Sequence, residues 1–115
     1  MRAIRRDNDE IDQGADADMT VTLSGFLLCR SLEEADRVAA LLPEHVRLTR
    51  AEPGCVRFEV WRSHADPCRF AVSEGFRDCA AFLAHQARAA TTLWGRATKG
   101  IPRDYVIREE GDQPP

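Results

Sequence analysis

The order of strand-like and helix-like segments most restricts what this chain can fold into. Residues 21–30 are rich in β-branched and apolar residues and lead into a capping box formed by Ser31 and Glu34. Apolar residues then recur at helical spacing as far as Arg50, interrupted by Pro43, where we expect the helix to be broken or kinked.

The second half of the chain predicts a hairpin, another helix and a last strand. After a turn at residues 52–54, apolar and polar residues alternate, with one face formed by Val56, Phe58 and Val60. The return strand covers residues 69–76. Asp78 caps a helix that Gly95 or Gly100 would end, and its expected apolar stripe includes Cys79, Phe82, Leu83, Gln86, Ala90 and Leu93. Residues 104–109 form the last strand.

The resulting β-α-β-β-α-β order is typical of an α+β ferredoxin-like sandwich. Two helices cover only one face of a four-stranded antiparallel sheet, and apolar or aromatic residues occupy both faces of these strands. We therefore expect the uncovered face to meet a second subunit in a homodimer.

Charge and composition argue against a nucleic-acid-binding or membrane-spanning protein, and they divide the chain into three segments. Residues 1–18 carry six acidic and three basic residues and little apolar periodicity, so we expect a disordered polar tail, followed by one domain at 19–109 and a polar end at 110–115. Met19 stands directly before the first expected strand, so translation that began there would still give the whole expected domain. The rest of the chain is neutral, without the basic stripe of a nucleic-acid-binding protein, and no apolar run reaches the ~18 residues of a membrane span.

The cysteines and histidines do not follow metal-binding spacings. Cys29, Cys55, Cys68 and Cys79 are far apart, form no CxxC pair and follow no secretory signal, so we interpret them as reduced thiols of a cytoplasmic protein. Cys55 begins one hairpin strand and Cys68 begins its antiparallel partner, so the two lie at opposite ends, too far apart for a bridge. We expect that the protein forms no structural disulfide. No metal site is expected.

Short motifs within this framework resemble the antibiotic biosynthesis monooxygenase (ABM) family. They are Glu52-Pro53-Gly54-Cys55, Phe58, the Phe70-x-x-x-Glu74-x-Phe76 pattern, and Ala81-Phe82-x-x-His85. With the order of elements they cover about residues 20–108. The resemblance implies a dimeric α/β-barrel, in which two sheets face each other around pockets. It also implies oxidation of quinols or phenols without flavin, haem or metal, as in the small quinol monooxygenases, although the family includes isomerases and haem-degrading relatives.

Glu74 and His85 are the candidate catalytic residues. Oxygenation without a cofactor requires a base, a group that stabilises the substrate anion and an apolar chamber. Glu74 is the one acid on an apolar strand face, so its pKa rises unless a cation such as Arg57 pairs with it across the hairpin. His85 occupies the position of the family's histidine and has a suitable pKa. Its alternative interpretation is a residue on the helix surface.

The expected substrate-binding residues are aromatic or basic: Arg57, Trp61, Phe76, Trp94 and His45. Trp61 and Trp94 can stack on a planar ligand, although large aromatic residues also serve as core or dimer contacts. Arg57 shares a strand face with Trp61, and that face is either solvated or a mixed polar pocket. His45 lies beyond the expected helix break, so we place it on the surface and treat it as a reserve base.

These observations predict a cofactor-independent monooxygenase that oxidises a small hydroxylated aromatic or a quinol. An isomerase or tautomerase is the first alternative, because the same base in the same pocket would move a proton within a substrate without oxygen. The second alternative is a non-catalytic dimeric module that binds a small apolar molecule.

Overall fold

Five strands and three helices make up the part of the chain that the computed structural model describes, residues 2–3 and 19–111. The strands are β1 (Arg2–Ala3), β2 (Thr20–Leu28), β3 (Cys55–Arg62), β4 (Arg69–Phe76) and β5 (Arg103–Glu110). The helices are α1 (Leu32–Arg50), α2 (Cys79–Ala89) and α3 (Leu93–Thr98). The expected tail at 1–18 and the end at 110–115 lie largely outside the described residues. None of the described helices has the length and apolar character needed to cross a bilayer.

The sheet is antiparallel throughout and has the strand order β1-β5-β2-β4-β3. Its four long strands follow the ferredoxin-like order, which confirms the expected fold class. The two-residue strand β1 extends the edge by pairing with β5, where Arg2 lies opposite Glu109.

The helices pack on one face of the sheet, and the core lies between them. Alternate residues of the two central strands are buried on this face, namely Val21, Leu23 and Leu27 of β2 and Phe70, Val72 and Phe76 of β4. The alternation arises because successive side chains of a strand point to opposite faces of the sheet. On the opposite face Trp61, Val56 and Val106 remain exposed, so one face of the sheet has no cover within the described chain.

We predicted a break or a kink at Pro43, and the break is wrong, because helix α1 continues through this residue. Its start is the expected one, since the Ser31 hydroxyl accepts a hydrogen bond from the Glu34 N–H at 3.1 Å. Pro43 is exposed and removes one helical hydrogen bond. Burial of Val38 before it and of His45 after it keeps both halves against the sheet, and this packing offsets the lost bond.

The second helix ends earlier than predicted. Helix α2 stops at Ala89, and Thr92 starts α3 by accepting a hydrogen bond from the Gly95 N–H at 3.1 Å. Gly95 is thus inside α3 rather than a terminator, and a Cβ there would overlap the carbonyl of Ala89. The buried stripe of α2 is Cys79, Phe82 and His85, whereas Leu83 and Leu93 are exposed.

A bulge at the start of β3 changes which residues face the core. Cys55 lies opposite Phe76 and Arg57 lies opposite Gly75, with Val56 inserted between them. Val56 is therefore exposed instead of sharing the core face with Phe58 as predicted.

Candidate functional site

A cavity of about 350 Å³ lies between the helix-covered face of the sheet and the three helices. Its polar wall includes His45, Glu74, His85, Arg103 and Tyr105. Its apolar wall includes Leu23, Phe58, Val60, Val72 and Trp94. This composition, mostly apolar with a few polar groups, is typical of a small-molecule site.

Glu74 is a buried carboxyl group that has no cationic partner in the described part of the chain. It lies on β4 between Leu23 and Phe58 of the neighbouring strands, is 7% exposed, and its Oε1 has no hydrogen-bond partner among the described residues. Burial, reinforced by the negative charge of Glu52, raises its pKa to about 7. The alternative of a pair with Arg57 is wrong, because Arg57 lies opposite Gly75 and points to the other face.

His85 is buried on the inner face of α2, not on the helix surface. Its Nδ1 lies 3.0 Å from Oε1 of Glu52, and its side chain is 3% exposed. Burial lowers the pKa of His85 most, while the Glu52 carboxylate acts in the opposite direction. A neutral imidazole that donates its Nδ1–H to Glu52 has its lone pair on Nε2. In that tautomer Nε2 is the ring atom that can accept a proton, and His85 lines the cavity.

Arg88 and the turn before β3 hold Glu52 in place. The Arg88 Nε–H donates to Oε2 of Glu52, and its Nη2 donates to the Thr49 hydroxyl at 3.1 Å. The turn approaches α2 closely, since Gly54 has φ +91° and a Cβ there would lie 2.7 Å from the Cβ of Ala81. Sequence reasoning assigned no role to Glu52 or Arg88. The Glu52-Pro53-Gly54-Cys55 motif and the i,i+3 spacing of His85 and Arg88 were the available signals.

Aromatic rings form the rest of the wall around His85. His45 stacks on Trp94 with centroids 4.4 Å apart and an interplanar angle of 6°, and its ring centroid lies 5.9 Å from that of His85. Phe76 packs against His85 at 5.0 Å. It supports the imidazole from the core and does not line the cavity.

His45 is buried, which contradicts its expected surface position. The unbroken course of α1 brings it into the cavity wall, where it is 4% exposed. Burial, and then the nearby charges of His85 and Arg88, lower its pKa to about 3. His45 is therefore a neutral ring at physiological pH, and its Nδ1 has no partner within the described part of the chain.

Tyr105 and Arg103, on β5, also belong to the polar wall and were not identified from the sequence. Burial raises the pKa of Tyr105, and the neighbouring Arg103 acts in the opposite direction. No periodic signal distinguishes this tyrosine from an ordinary strand aromatic.

The structure brings together four of the seven predicted site residues: Glu74, His85, His45 and Trp94. Arg57 and Trp61 lie on the open face, where Arg57 borders a separate pocket of about 420 Å³. In residues 19–111, no group of three or more potential metal ligands comes together.

Comparison with known proteins agrees with this architecture. The family model described as antibiotic biosynthesis monooxygenase matches residues 32–95, more than half of the chain. A candidate antibiotic biosynthesis monooxygenase of Deinococcus radiodurans is 26% identical with a TM-score of 0.68, over 83% of this chain and 96% of that one. A candidate of the same kind from Nitrosomonas europaea is 24% identical with a TM-score of 0.68, over 85% of this chain and 94% of that one.

A more distant structure comes from a named oxygenase. SnoaB, a cofactor-independent oxygenase of Streptomyces nogalater, has 17% identity and a TM-score of 0.60, with 86% of this chain and 99% of that chain covered. At this identity the likeness concerns the fold. The comparison with curated protein sequences gave no significant match.

A ferredoxin-like sheet, with a cavity lined by a carboxyl group and two imidazoles beneath its helices, places the chain in the class of small ferredoxin-like α+β domains. Within that class, the chain belongs to the antibiotic biosynthesis monooxygenase family, which includes monooxygenases.

Proposed function

We propose that the protein is a cofactor-independent monooxygenase that oxidises a small hydroxylated aromatic or a quinol in this cavity. The observation that carries the proposal is that a carboxyl group, Glu74, and an imidazole, His85, line the same mainly apolar cavity. His85 is a neutral base fixed by Glu52, and Glu74 has a pKa of about 7. Groups whose pKa values are separated by their surroundings can take different acid and base roles.

In the proposed reaction, Nε2 of His85 accepts the phenolic proton, and the resulting electron-rich anion reacts with dioxygen. One oxygen atom becomes bonded to the ring and the other leaves as water, so a phenol and O₂ give a quinone and H₂O. The departing oxygen takes two protons to leave as water. One is the phenolic proton held by the imidazolium, and the other is the hydrogen lost from the ring carbon that becomes bonded to oxygen, which Glu74 transfers. Proton transfer by a positioned group of this kind accelerates a reaction by ~10²- to 10⁴-fold.

The walls of the cavity support a planar, mainly apolar substrate. Trp94 and His45 present a stacked pair of rings, and Leu23 and Val72 add aliphatic surface. Since about 350 Å³ is near the lower end of the range for ligand pockets, we propose a small aromatic molecule rather than an extended polycyclic one.

We also propose that the open face of the sheet forms a homodimer. Trp61 is 52% exposed there and Val56 is 64% exposed, whereas β4 presents the small residues Ala71, Ser73 and Gly75. Small residues between larger apolar ones allow another sheet to approach closely, and burial of this surface would drive association. Sedimentation should give the dimer mass at micromolar concentration, and a monomer would contradict this assembly.

Tautomerase activity is the second candidate, and the pKa of Glu74 favours it. A carboxyl group with a pKa of about 7 gives and takes protons near neutral pH, so Glu74 and His85 together can move a proton between two positions of one substrate. This reaction consumes no oxygen.

An oxygen electrode separates the candidates. The purified protein is incubated with a panel of quinols, catechols and naphthols, and oxygen consumption is compared with product formation. We expect one O₂ per quinone formed and a loss of about 10²-fold or more in His85→Gln. His64→Gln, which changes an exposed turn residue, is the matched control.

Isomerised product without oxygen uptake would identify the tautomerase instead. Ligand binding without turnover, unaffected by His85→Gln, would indicate a binding module. Either result would contradict the proposed oxygenase.

A further inference from the structure

Two of the four cysteines lie opposite each other at the neighbouring ends of two adjacent strands. Cys29 directly follows β2 and Cys68 directly precedes β4. The strand register ends with Leu28 opposite Arg69, and one step further the Cys29 N–H donates to the Cys68 carbonyl at 2.8 Å. Directly opposed residues of antiparallel strands have Cα atoms about 4.5–5.5 Å apart. This separation lies within the range of about 4.4–6.8 Å that a disulfide spans.

The two side chains also point to the same side of the sheet. Leu27 lies two residues before Cys29, and Phe70 lies two residues after Cys68. Leu27 and Phe70 form a cross-strand pair on the helix-covered face. Because strand side chains alternate, Cys29 and Cys68 share that face. Both thiols pack in one apolar cluster with Leu27 and Phe70.

The two thiols differ in accessibility. Cys29 is 8% exposed, whereas Cys68 is partly exposed beside the hairpin turn. Burial, and next the charge of Glu34, raise the pKa of the Cys29 thiol. A soluble oxidant therefore reaches Cys68 first.

We propose that Cys29 and Cys68 form a reversible redox site, at which a peroxide converts the two thiols into one disulfide. The Cys68 thiolate attacks the peroxide, the O–O bond breaks, and Cys68 becomes a sulfenic acid as the first water leaves. The Cys29 sulfur then displaces the sulfenic oxygen, which leaves as the second water. The sulfurs lose two electrons and two protons, hydrogen peroxide becomes two waters, and a thiol reductant reverses the change.

This bond would join the end of β2 to the turn end of the β3–β4 hairpin, and its formation does not depend on the reaction in the cavity. Trp94 packs against the same cluster and also lines the cavity wall. A covalent link closing residues 29–68 restricts the unfolded chain, so we expect the oxidised protein to melt at a higher temperature than the reduced protein.

The test is intact-mass analysis of the full chain after mild treatment with hydrogen peroxide. We expect a loss of two hydrogen atoms that a thiol reductant restores, with a peptide map that links Cys29 to Cys68. Cys68→Ser should abolish the link, and Cys29→Ser should do the same. Cys55→Ser, at the far end of the hairpin opposite Phe76, is the matched control and should retain it.

Several outcomes would overturn the proposal: a link that includes Cys55 or Cys79, a link between two chains, or sulfinic acid at Cys68 with no loss of hydrogen. Since Cys29 is buried, its serine variant can be destabilised for other reasons. The peptide map of the unmodified sequence decides the pairing independently of that variant.

Discussion

The buried carboxyl group of Glu74 makes the stability of the protein depend on pH. Its pKa is about 7 in the folded protein against an ordinary value of 4.5, so between these values the folded state binds the proton more tightly than the unfolded chain. Stability therefore falls as pH rises through this range. The difference from 4.5 to about 7, at about 1.4 kcal/mol per pH unit, gives a penalty of about 3 kcal/mol above pH 7.

Glu74→Gln removes this penalty while preserving the side-chain shape. We compare the free energy of unfolding of the variant with that of the original protein. We expect this difference to shift in favour of the variant by about 2–3 kcal/mol when the pH is raised from about 5 to about 8.5. Urea denaturation at both pH values measures the free energy of unfolding. Subtracting the free energy of unfolding of the original protein from that of the variant at one pH removes the contribution of the other titrating groups. Comparing this difference at the two pH values then removes any cost of the buried amide that does not depend on pH.

Glu33→Gln is the control, because it makes the same chemical change at an exposed position in the first turn of α1. Its effect should stay within about 0.5 kcal/mol at both pH values. If Glu74→Gln shifted stability equally at low and high pH, Glu74 would not carry a raised pKa, and the acid–base assignment of the cavity would fail.

Glu52→Gln removes the carboxylate that opposes the effect of burial on His85, so the pKa of His85 should fall further. An NMR titration of the ring nitrogens measures it, and an unchanged titration would remove Glu52 from the site. Phe70→Ala empties a position that is 1% exposed and should cost about 3–5 kcal/mol in urea denaturation; a loss below ~1 kcal/mol would contradict the packing. Gly25→Ala puts a Cβ into a backbone carbonyl of β5 at φ +146° and should cost about 1–3 kcal/mol. Gly100→Ala, with no atom within 4 Å, should unfold at nearly the original temperature.

Local periodicity in the sequence determined the element order and the apolar face on which Glu74 lies. These properties depend on residues two to four positions apart, so the pattern of side chains fixes them before any distant contact forms. Ser31 and Asp78 were identified as helix caps for the same reason, since each bonds a backbone N–H three residues ahead.

Only the tertiary structure decided which polar groups meet in the cavity. Glu52 and His85 are 33 residues apart, and they pair because the turn at Gly54 packs against α2. His45 is buried because packing on both sides of Pro43 outweighs one lost hydrogen bond. Strand register separates Arg57 from Glu74 by placing Phe58 opposite the carboxylate. Register, helix continuity and turn contacts depend on the sum of many distant contacts, and the spacing of residues along the chain does not encode that sum.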